Sequence, residues 1–424
     1  MQSTHLAASA VALLAAVAVT APAATRTVGP GRQYETISAA VSTAESGDTI
    51  LVHDGIYKES ITIGTRDLTL MSANEWGAVL DGDSGRLAVA FLVQTQAVKI
   101  VGFKFRNYRA GDPGGGIVKL QSRAANSEVK YNYFTGNVLE NHECANIFLY
   151  GASHSVVRGN VFAGNTITGG SAASLVGNYA KHITVELNKF YDVPASGKRS
   201  IYWSNMSNNL LLRCNHIKAY LRLRRGKLFH VEHNIFDNLV NGSFLFNDQN
   251  NLYDPSPCGI PRCEDYDLVT GVVEKAEESH VLDHNTFYLG WSSEEHSSVD
   301  NVRISNNLFI GPHKAPYLIY NRWGGEGTIT KTTIIDNQKH NTAAGWHDLK
   351  PEECTLVSGN VDADPSYDPA TGACAGSACN PGADLRIDVW PFTRQDGSAL
   401  QVDYPYGTQG TPLPPGNLGI SERN

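Results

Sequence analysis

Short apolar runs that lead into an asparagine recur along the chain at intervals of roughly 20 to 30 residues. Each unit reads as an apolar residue, a few further residues, and then Asn-x-Phe or a close relative. The steps between successive asparagines are 28, 28, 27, 19, 51, 22, 30 and 23 residues, and the longest corresponds to two turns with an insertion. This period, with no helical 3.6-residue pattern, predicts an all-β fold of the right-handed parallel β-helix type. The repeating asparagines are Asn132, Asn160, Asn188, Asn215, Asn234, Asn285, Asn307, Asn337 and Asn360.

The repeated polar residues are predicted to be structural. A single coil cannot bury its own apolar face, so the coils must stack into one continuous core. In such a stack, each asparagine satisfies backbone groups of a neighbouring turn, and the phenylalanines form a ladder inside. His233 and His284 directly precede two of the asparagines and are expected to serve the same turns rather than a metal.

The domain organisation follows from where the repeat begins and ends. The β-helix is predicted over residues 25–360 as one domain. The stretch YETISAAVSTAESG at 34–47 carries Ile37, Ala40 and Val41 at helical spacing, which predicts a short helix capping the first coil. Residues 361–424 are rich in Gly, Pro and Asp, and we expect an irregular tail that packs on the outside of the β-helix.

Residues 1–24 are interpreted as a signal peptide. An apolar run over 6–19 is followed by the small residues Ala-Pro-Ala-Ala at 21–24. A membrane anchor is the alternative, but the run is shorter than the ~20 residues that a span needs. No other apolar stretch approaches this length, so we expect a secreted, extracellular protein with no membrane partner.

Seven cysteines in an exported chain predict disulfides with one thiol left over. Zinc binding is the rival interpretation, but the spacing lacks paired C-x-x-C motifs, so no metal site is predicted. Two pairs are close enough in sequence to close local loops, Cys258 with Cys263 and Cys374 with Cys379. Three cysteines remain unassigned: Cys144, Cys214 and Cys354.

The segment YLRLRRGK at 220–227 places four cations in eight residues of a chain whose formal net charge is -8. Leu221 and Leu223 alternate with Arg222 and Arg224, which is typical of a strand with one apolar face and one basic outward face. The mild overall acidity argues against nucleic acid as a partner. A local anion is therefore expected at this strand.

Two plainer interpretations of the basic segment stay open. It is either a solvated stripe that offsets an acidic surface, or a row of cations matched within the chain. Glu232, Asp237 and Glu274 lie on crossing coils and are the candidate carboxylate partners. Like charges on one strand repel each other unless an anion joins them, which favours an external ligand.

Several stretches resemble, in order, the polysaccharide lyases of family six, the family of chondroitinase B and the β-helical alginate lyases. They are GDTILVHDGIYKESITI, VKIVGFKFRN, NIFLYGASHSVVRGNVFAGNTITGG, and YLRLRRGK followed by HVEHNIFDN. The resemblance covers most of residues 45–310. It implies a β-helical enzyme that cleaves an acidic polysaccharide by β-elimination.

The basic segment carries the most specific part of this resemblance. In the family, a strand of the type leucine, x, leucine, arginine, histidine, glycine presents the catalytic arginine ten residues before the next ladder asparagine. Here Arg224 precedes Asn234 by ten residues, and Arg225 stands at the histidine position. The resemblance implies that Arg224 neutralises the substrate carboxylate, with Arg222 and Arg225 in support.

The preceding coil departs from the family pattern. The family has a lysine as general base there, with two glutamates just upstream that hold calcium. Met206 stands at the lysine position, and Arg199 and Ile201 lie near the glutamate positions. An alternative register would put Arg225 at the lysine position. No cofactor is therefore assigned, and a Ca2+ requirement stays open.

The chemistry of β-elimination explains why cations matter. The C5 proton of a uronic acid leaves only if the neighbouring carboxylate is neutralised, which an arginine fork does while staying charged. A base must take the proton, and Tyr202 and Lys227 are the first candidates, with Lys198 and His230 nearby. Equivalent strand positions on flanking coils are expected to complete a groove: Lys119, Gln121, Arg123, Asn146, Phe148 and Tyr150.

Two other function classes stay open. A glycoside hydrolase needs two carboxylates across a cleft, and the acidic residues at turns or in loops show no such pairing: Asp283, Asp300, Asp336, Glu274, Glu277 and Glu278. A noncatalytic module that grips a polyanion with its arginines is the other alternative. The sequence favours a monomeric, secreted polysaccharide lyase acting on an acidic polysaccharide.

Overall fold

The chain winds into a right-handed parallel β-helix in which each coil contributes one strand to each of three long sheets. The computed structural model describes residues 22–192, 199–204, 207–218, 220–224, 226, 228–237, 244–247, 280–288, 294–297, 302–311, 317–321, 332–341, 345–347 and 354–362. Within these residues there are 39 strands and one helix, and neighbouring strands pair in parallel. The predicted fold class is confirmed.

The first sheet has 13 strands in the described residues, and successive coils add one strand each. Its strands are Thr25–Val28, Thr49–Val52, Thr69–Ser72, Lys99–Val101, Glu128–Lys130, Val156–Arg158, Lys181–Glu186, Asn208–Arg213, Phe229–Glu232, His280–Asp283, Val302–Ser305, Thr332–Ile335 and Cys354–Ser358.

The second sheet follows the first after a tight corner and has 12 strands in the described part of the chain. Its strands are Gly55–Tyr57, Ala78–Asp81, Lys104–Arg106, Tyr133–Thr135, Val161–Phe162, Lys189–Phe190, His216–Ile217, Ile235–Asp237, Thr286–Tyr288, Leu308–Ile310, Gln338–His340 and Val361–Asp362.

The third sheet closes each coil and has 11 strands among the residues described. They are Ile61–Ile63, Phe91–Val93, Gly116–Leu120, Ala145–Tyr150, Ala173–Asn178, Arg199–Ser204, Tyr220–Arg224, Phe244–Asn247, Glu294–Ser297, Tyr317–Asn321 and Gly345–His347. A minor sheet between the second and third sheets consists of Arg109–Ala110, Val138–Leu139 and Thr166–Ile167.

The predicted asparagine ladder forms the corner between the first and second sheets. The backbone N–H of Asn160 donates to Asn188 Oδ1 at 2.9 Å, and its Nδ2 donates to Val129 O at 2.8 Å. Asn188 repeats this pattern towards Asn215 in the next coil. These buried amides satisfy backbone groups that no strand partner reaches, so their structural role is confirmed.

The residue before each ladder asparagine makes the corner sharp by adopting the left-handed region. His233 has φ 55° and His284 has φ 50°, and their rings stack with centroids 5.1 Å apart. The two histidines are thus turn residues, as predicted. Inside the corner, Phe105, Phe134, Phe162 and Phe190 stack with successive centroids 4.7 to 5.1 Å apart.

The N-terminal end of the β-helix is capped as the sequence predicts. The helix Ile37–Thr43 begins after Thr36, whose side chain accepts a hydrogen bond from the Ala39 N–H, and it buries Ile37, Ala40 and Val41. Glu59 from the third-sheet side accepts hydrogen bonds from the first two N–H groups of the helix. Such contacts satisfy donors that a helix cannot satisfy itself.

Strand pairing continues to Val361–Asp362, just past the expected end of the β-helix at residue 360. The remainder of the predicted tail, residues 1–21 of the predicted signal peptide, and the predicted pairs Cys258 with Cys263 and Cys374 with Cys379 lie outside the described residues. Cys144 and Cys214 are free thiols. No helix in the described part of the chain is long and apolar enough to cross a membrane.

Candidate functional site

One row of side chains crosses five strands on the outer face of the third sheet. In the strand register, Lys119 lies beside Phe148, Phe148 beside Val176, Val176 beside Tyr202, and Tyr202 beside Arg222. We call these five residues the outer row. Since neighbouring strands lie about 4.8 Å apart, the row spans roughly 19 Å along the helix axis.

The alternation predicted for the basic segment places Arg222 in this row. Leu221 and Leu223 point into the core, where they are 1% and 0% exposed, and Arg222 between them is partly exposed. Arg224 ends the same strand and pairs with Asn247. Arg225, Lys227 and Lys198 lie outside the described residues.

Tyr202 supports two guanidinium groups. Its ring centroid lies 5.1 Å from Arg199 Cζ and 6.0 Å from Arg222 Cζ, which are cation–π distances. Ile201 is in the core, so the predicted outward direction of Tyr202 is confirmed. The side chain is nevertheless only 2% exposed, which makes it a buried support more than a surface phenol.

Arg199 is a member of this cluster that the sequence did not single out. It is 8% exposed and its Nη1 donates to the Gly170 carbonyl at 2.6 Å. In the sequence it stands near a glutamate position of the related lyases, which by itself suggests no role at the site. A shift in strand register between Arg199 and Ile201 hides its proximity to Arg222 from simple counting along the repeat.

Arg222 has no carboxylate partner in the part of the chain that the structure describes. Its Nε is buried and forms no hydrogen bond. Of the predicted intramolecular partners, Glu232 lies on the first sheet, Asp237 on the second, and Glu274 outside the described residues. An arginine without a carboxylate on a face of buried aromatic side chains is a candidate receptor for an external anion.

Lys119 occupies the other end of the outer row. Its Nζ lies 5.2 Å from the Phe148 ring centroid and donates to the Gly114 carbonyl at 2.9 Å. Partial burial lowers the pKa of the Lys119 ammonium group. Gly114 leans over the Phe148 ring, and a Cβ there would lie 3.4 Å from the ring edge, so this side of the row is walled by backbone.

Two loops build that wall, residues 111–115 and 140–144. The Gly114 N–H donates to the His142 carbonyl at 2.9 Å, and the Cys144 thiol donates to the Asp112 carbonyl at 3.1 Å. The wall covers the Lys119 and Phe148 end of the row, which explains why Phe148 is only 1% exposed although it faces outward.

Some predicted site residues lie near the outer row and others do not. Tyr150 ends the Phe148 strand and is 44% exposed, whereas Arg123 is exposed in the turn after the Lys119 strand. Asn146 is not in the groove, because it is fully buried and accepts a hydrogen bond from Asn137. The missed member Val176 follows from the repeat, since Phe148 plus one 28-residue step gives position 176.

The structure does not bring His230 to this face. Its strand Phe229–Glu232 belongs to the first sheet, where His230 is exposed and pairs with Leu211 and Val281. His230 is close to Arg222 in sequence, but the chain turns the corner from the third sheet to the first between them, so the structure places it on a different face and not in the outer row.

Two of the six carboxylates considered for a hydrolase lie within the described residues. Asp283 lies on the first sheet, where His284 Nδ1 is 2.7 Å away and Asn306 Nδ2 donates to it at 3.0 Å. Asp336 is exposed at a ladder turn, and four others lie outside the described residues: Asp300, Glu274, Glu277 and Glu278. Among the residues described, no group of three or more His, Cys, Asp or Glu side chains could hold a metal ion.

No family model matches the chain, and no curated protein is significantly similar to it. Solved structures do share its architecture. One is the PL6 family alginate lyase AlyGC, with 12% identity, 85% of this chain and 57% of that chain covered, and a TM-score of 0.46. The shared feature is the β-helix.

Two further solved structures are similar to the chain at the same level. The catalytic domain of a GH87 α-1,3-glucanase in complex with tetrasaccharides has 12% identity, covers 80% of this chain and 69% of that chain, and has a TM-score of 0.48. PfbA, a surface adhesin of Streptococcus pneumoniae, has 12% identity, covers 74% and 86%, and has a TM-score of 0.45. At such identities the similarity concerns the fold alone, and the function has to be argued from this chain's own residues.

Proposed function

We propose that the outer face of the third sheet binds an acidic polysaccharide and that the protein cleaves it by β-elimination. The observation that carries this proposal is the Arg222 guanidinium, which lies on the Tyr202 ring and has no carboxylate partner among the described residues. Arg224, on the same strand, is the residue that the resemblance to family six lyases assigns to carboxylate neutralisation.

The proposed reaction needs three groups around one uronic acid. Arg222 and Arg224, with Arg225, neutralise the carboxylate so that C5 can lose its proton to a base. The electron pair of the C5–H bond becomes the second bond between C4 and C5, and the C4–O4 bond breaks. The departing O4 takes a proton from an acid or from water, leaving an unsaturated sugar and a new chain end.

The base remains a choice between two residues. Lys227 stands three residues after Arg224, at the end of the basic segment. Tyr202 is 2% exposed, so its hydroxyl reaches a polymer only if the arginines over it move. We therefore assign Tyr202 to positioning Arg222 and place Lys227 first as the base.

The remaining predicted contacts extend along the polymer. Lys119 and Tyr150 lie on the same face as Arg222, and Arg123 lies at its margin. Lys198 would add a further cation beside the Tyr202 strand. In this proposal the protein is a secreted monomer that meets its polysaccharide outside the cell.

A noncatalytic binding protein is the second candidate. It is favoured by the burial of Tyr202 and by Met206 standing at the position where the related lyases carry their lysine base. Such a protein would use the same arginines to hold the polymer without breaking it.

The test is incubation of the full chain with a panel of uronic acid polymers: alginate, glucuronan, pectin-like chains and sulfated glycosaminoglycans. A rise in ultraviolet absorbance from an unsaturated C4–C5 product with one of them supports the lyase. New reducing ends without that absorbance indicate a hydrolase. Binding without either signal indicates the binding protein, and indifference to every polymer rejects the proposal.

A further inference from the structure

One row of side chains on the outer face of the second sheet is buried over most of its length. Successive coils contribute one residue each, from Ile56 in the first coil to Val361 in the last described one. Each residue lies beside the next in the strand register, and the inward neighbours of the row include the stacked phenylalanines. We call these residues the second-sheet row: Ile56, Val79, Lys104, Tyr133, Val161, Lys189, His216, Ile235, Thr286, Leu308, Gln338 and Val361.

The ends of the second-sheet row are exposed, whereas its middle is buried. Ile56 and Val361 are 60% and 44% exposed, but the eight members from Tyr133 to Gln338 are each at most 8% exposed. Neighbouring strands alone do not explain this burial. Val79 also has a strand on both sides and is still partly exposed. Something outside the sheet therefore covers the middle of the row.

Trp76 covers only the start of the buried stretch. Its ring centroid lies 5.0 Å from that of Tyr133. Leu308 lies six strands further along the sheet, or about 29 Å, which is beyond the reach of one indole ring. Among the described residues, Trp76 is the partly buried apolar side chain that packs on the apolar cluster of this face: Tyr133, Val161, Ala163 and Tyr191.

The face around the second-sheet row is aromatic and basic. Lys104 Nζ lies 5.6 Å from the Tyr133 ring centroid, and Lys218 Nζ lies 5.1 Å from that of Tyr191. Lys189, within the row, is 7% exposed. Ammonium groups are rarely buried without an anion. A cover for this face therefore has to combine apolar side chains with carboxylates.

The chain that follows the last described strand has such a composition. That strand, Val361–Asp362, belongs to the second sheet, so residues 363–424 begin at one end of the row. They contain seven acidic and three basic residues. Within them, ADLRIDVW at 383–390 alternates apolar and charged residues, which is typical of an extended segment with one apolar face. The apolar positions are Leu385, Ile387 and Val389, and the charged ones are Asp384, Arg386 and Asp388.

The length of this segment matches the buried stretch. Seven strand steps separate Tyr133 from Gln338, or about 34 Å, which about ten residues of extended chain span. Residues 383–392 form such a run and end with Trp390 and Phe392. The other long stretch outside the described residues, 248–279, leaves the third sheet and enters the first, so it starts at the corner that faces away from the second sheet.

We propose that residues 363–424 dock on the second-sheet row, with residues 383–392 extended along it. The apolar side of this segment covers the row, and carboxylates of 363–424 pair with the lysines around it. The second sheet is then an internal docking face of the protein. It is a different face from that of Arg222, so the docking holds whether or not the protein cleaves a polymer.

Zero-length carbodiimide cross-linking of the wild-type chain tests this docking without any substitution. Mass spectrometry identifies which lysine is joined to which carboxylate. We expect amide bonds between the lysines of this face and carboxylates of 363–424, in protein of monomer mass. The docking is overturned if these lysines join only carboxylates before residue 363, if no bond to 363–424 forms, or if such bonds occur only in covalent dimers. The lysines are Lys104, Lys189 and Lys218.

A second measurement asks whether substitution in the segment uncovers the row. Lys189 and Lys181 are both 7% exposed, but Lys181 lies on the first sheet and serves as the internal control. Ile387→Asp should raise the acylation rate of Lys189 about tenfold or more and change that of Lys181 by less than about twofold, because it places a carboxylate where an aliphatic group is buried. Arg386→Ser, on the opposite side of the segment, is the matched control and should change neither rate.

The acylation rates separate docking of this segment from a general loss of structure. An unchanged Lys189 rate in Ile387→Asp, or an equal rise in Arg386→Ser, would contradict the docking. If Lys181 becomes as reactive as Lys189 in Ile387→Asp, that variant has unfolded as a whole, and the cross-links of the wild type decide the question.

Discussion

Arginines on two faces of this β-helix differ in whether a carboxylate pairs with them. On the first sheet, Arg158 and Arg213 come from the two coils that flank the coil of Glu186, and each is 2.8 Å from one of its carboxylate oxygens. On the third sheet, Arg199 and Arg222 converge on Tyr202, and Arg222 meets no carboxylate among the described residues. Stacked coils can readily supply a carboxylate beside an arginine, so the lack of one at Arg222 among the described residues points to an anion from outside.

The contrast extends to carboxylates. Glu186 lies between two guanidinium groups, whereas the buried Asp192 meets only neutral donors: the Asn165 N–H at 2.8 Å, the Asn165 amide, and the Ser174 hydroxyl at 2.8 Å. Burial raises the pKa of Asp192 to about 6, against these hydrogen bonds, which lower it. Asn137, Asn165 and Asp192 form a second ladder, in which the backbone N–H of each residue donates to the side-chain oxygen of the next. The third member is thus a carboxylic acid at a position where an asparagine amide could make the same contacts.

The largest expected effect on stability comes from replacing Asp192 in this ladder with asparagine. Above pH 6 Asp192 is ionised in both the folded and unfolded states, and Asp192→Asn should raise the free energy of unfolding by up to about 3 kcal/mol. Between its ordinary pKa of 3.8 and 6, the folded state binds more protons, so this component of wild-type stability grows as the pH falls. Urea unfolding at pH 4 and 7.5 measures the effect, and the gain should nearly vanish at pH 4.

Because variant and wild type share all other carboxylates, the difference between their free energies of unfolding removes the contribution of those groups to the pH dependence. Acid weakens both proteins through groups such as Asp48, whose pKa is lowered by backbone N–H groups and Arg26. A gain that stays constant with pH, or one that grows towards pH 4, would contradict the assignment to Asp192.

A smaller effect is expected from breaking the matched arginines. Glu186→Gln leaves Arg158 and Arg213 facing each other without a charge between them, and should cost about 2 kcal/mol in urea unfolding. Glu140→Gln is the control, because Glu140 pairs with Arg109 in solvent and such pairs contribute little, about 0.5 kcal/mol or less. If the two variants lose the same free energy of unfolding, the Glu186 cluster stabilises the fold no more than a solvent-exposed ion pair does.

The smallest effect is expected at Tyr202. If the ring positions Arg222, Tyr202→Phe keeps the cation–π surface and should change kcat by no more than about twofold. Tyr202→Ala should lose far more, since it removes the support. Initial rates of the ultraviolet signal measure both, and a loss of about a hundredfold with Tyr202→Phe would show instead that the phenol is the base.

The repeating half of the molecule could be predicted from the sequence. Successive coils bury their apolar residues in the same arrangement, so the sequence repeats with them. This repetition predicts the ladder asparagines, the turn histidines, and the inward Leu221 and Leu223. The capping helix could be predicted for a similar reason, since its apolar spacing fits a lid on the first coil.

The candidate site could be predicted only in part. The row from Lys119 to Arg222 follows from the coil spacing, but Arg199 on Tyr202 and Tyr179 on Tyr150 do not. Each of these contacts occurs once, between residues of different coils or at a turn with an unusual φ, so no periodic signal reports it. The loops that wall Phe148 likewise carry no regular pattern. His230 is close to Arg222 in sequence but lies on the first sheet, because the chain turns a corner between the two strands.

The central claim is that Arg222 is free to receive a sugar acid. The most direct test measures kcat/KM for β-elimination with the polymer that the wild type cleaves, in Arg222→Ala and in Arg213→Ala as the matched arginine of the first sheet. We expect a loss of roughly 10²- to 10³-fold for Arg222→Ala and a value within about threefold of wild type for Arg213→Ala. Unchanged turnover by Arg222→Ala, or an equal loss in both variants, would contradict it.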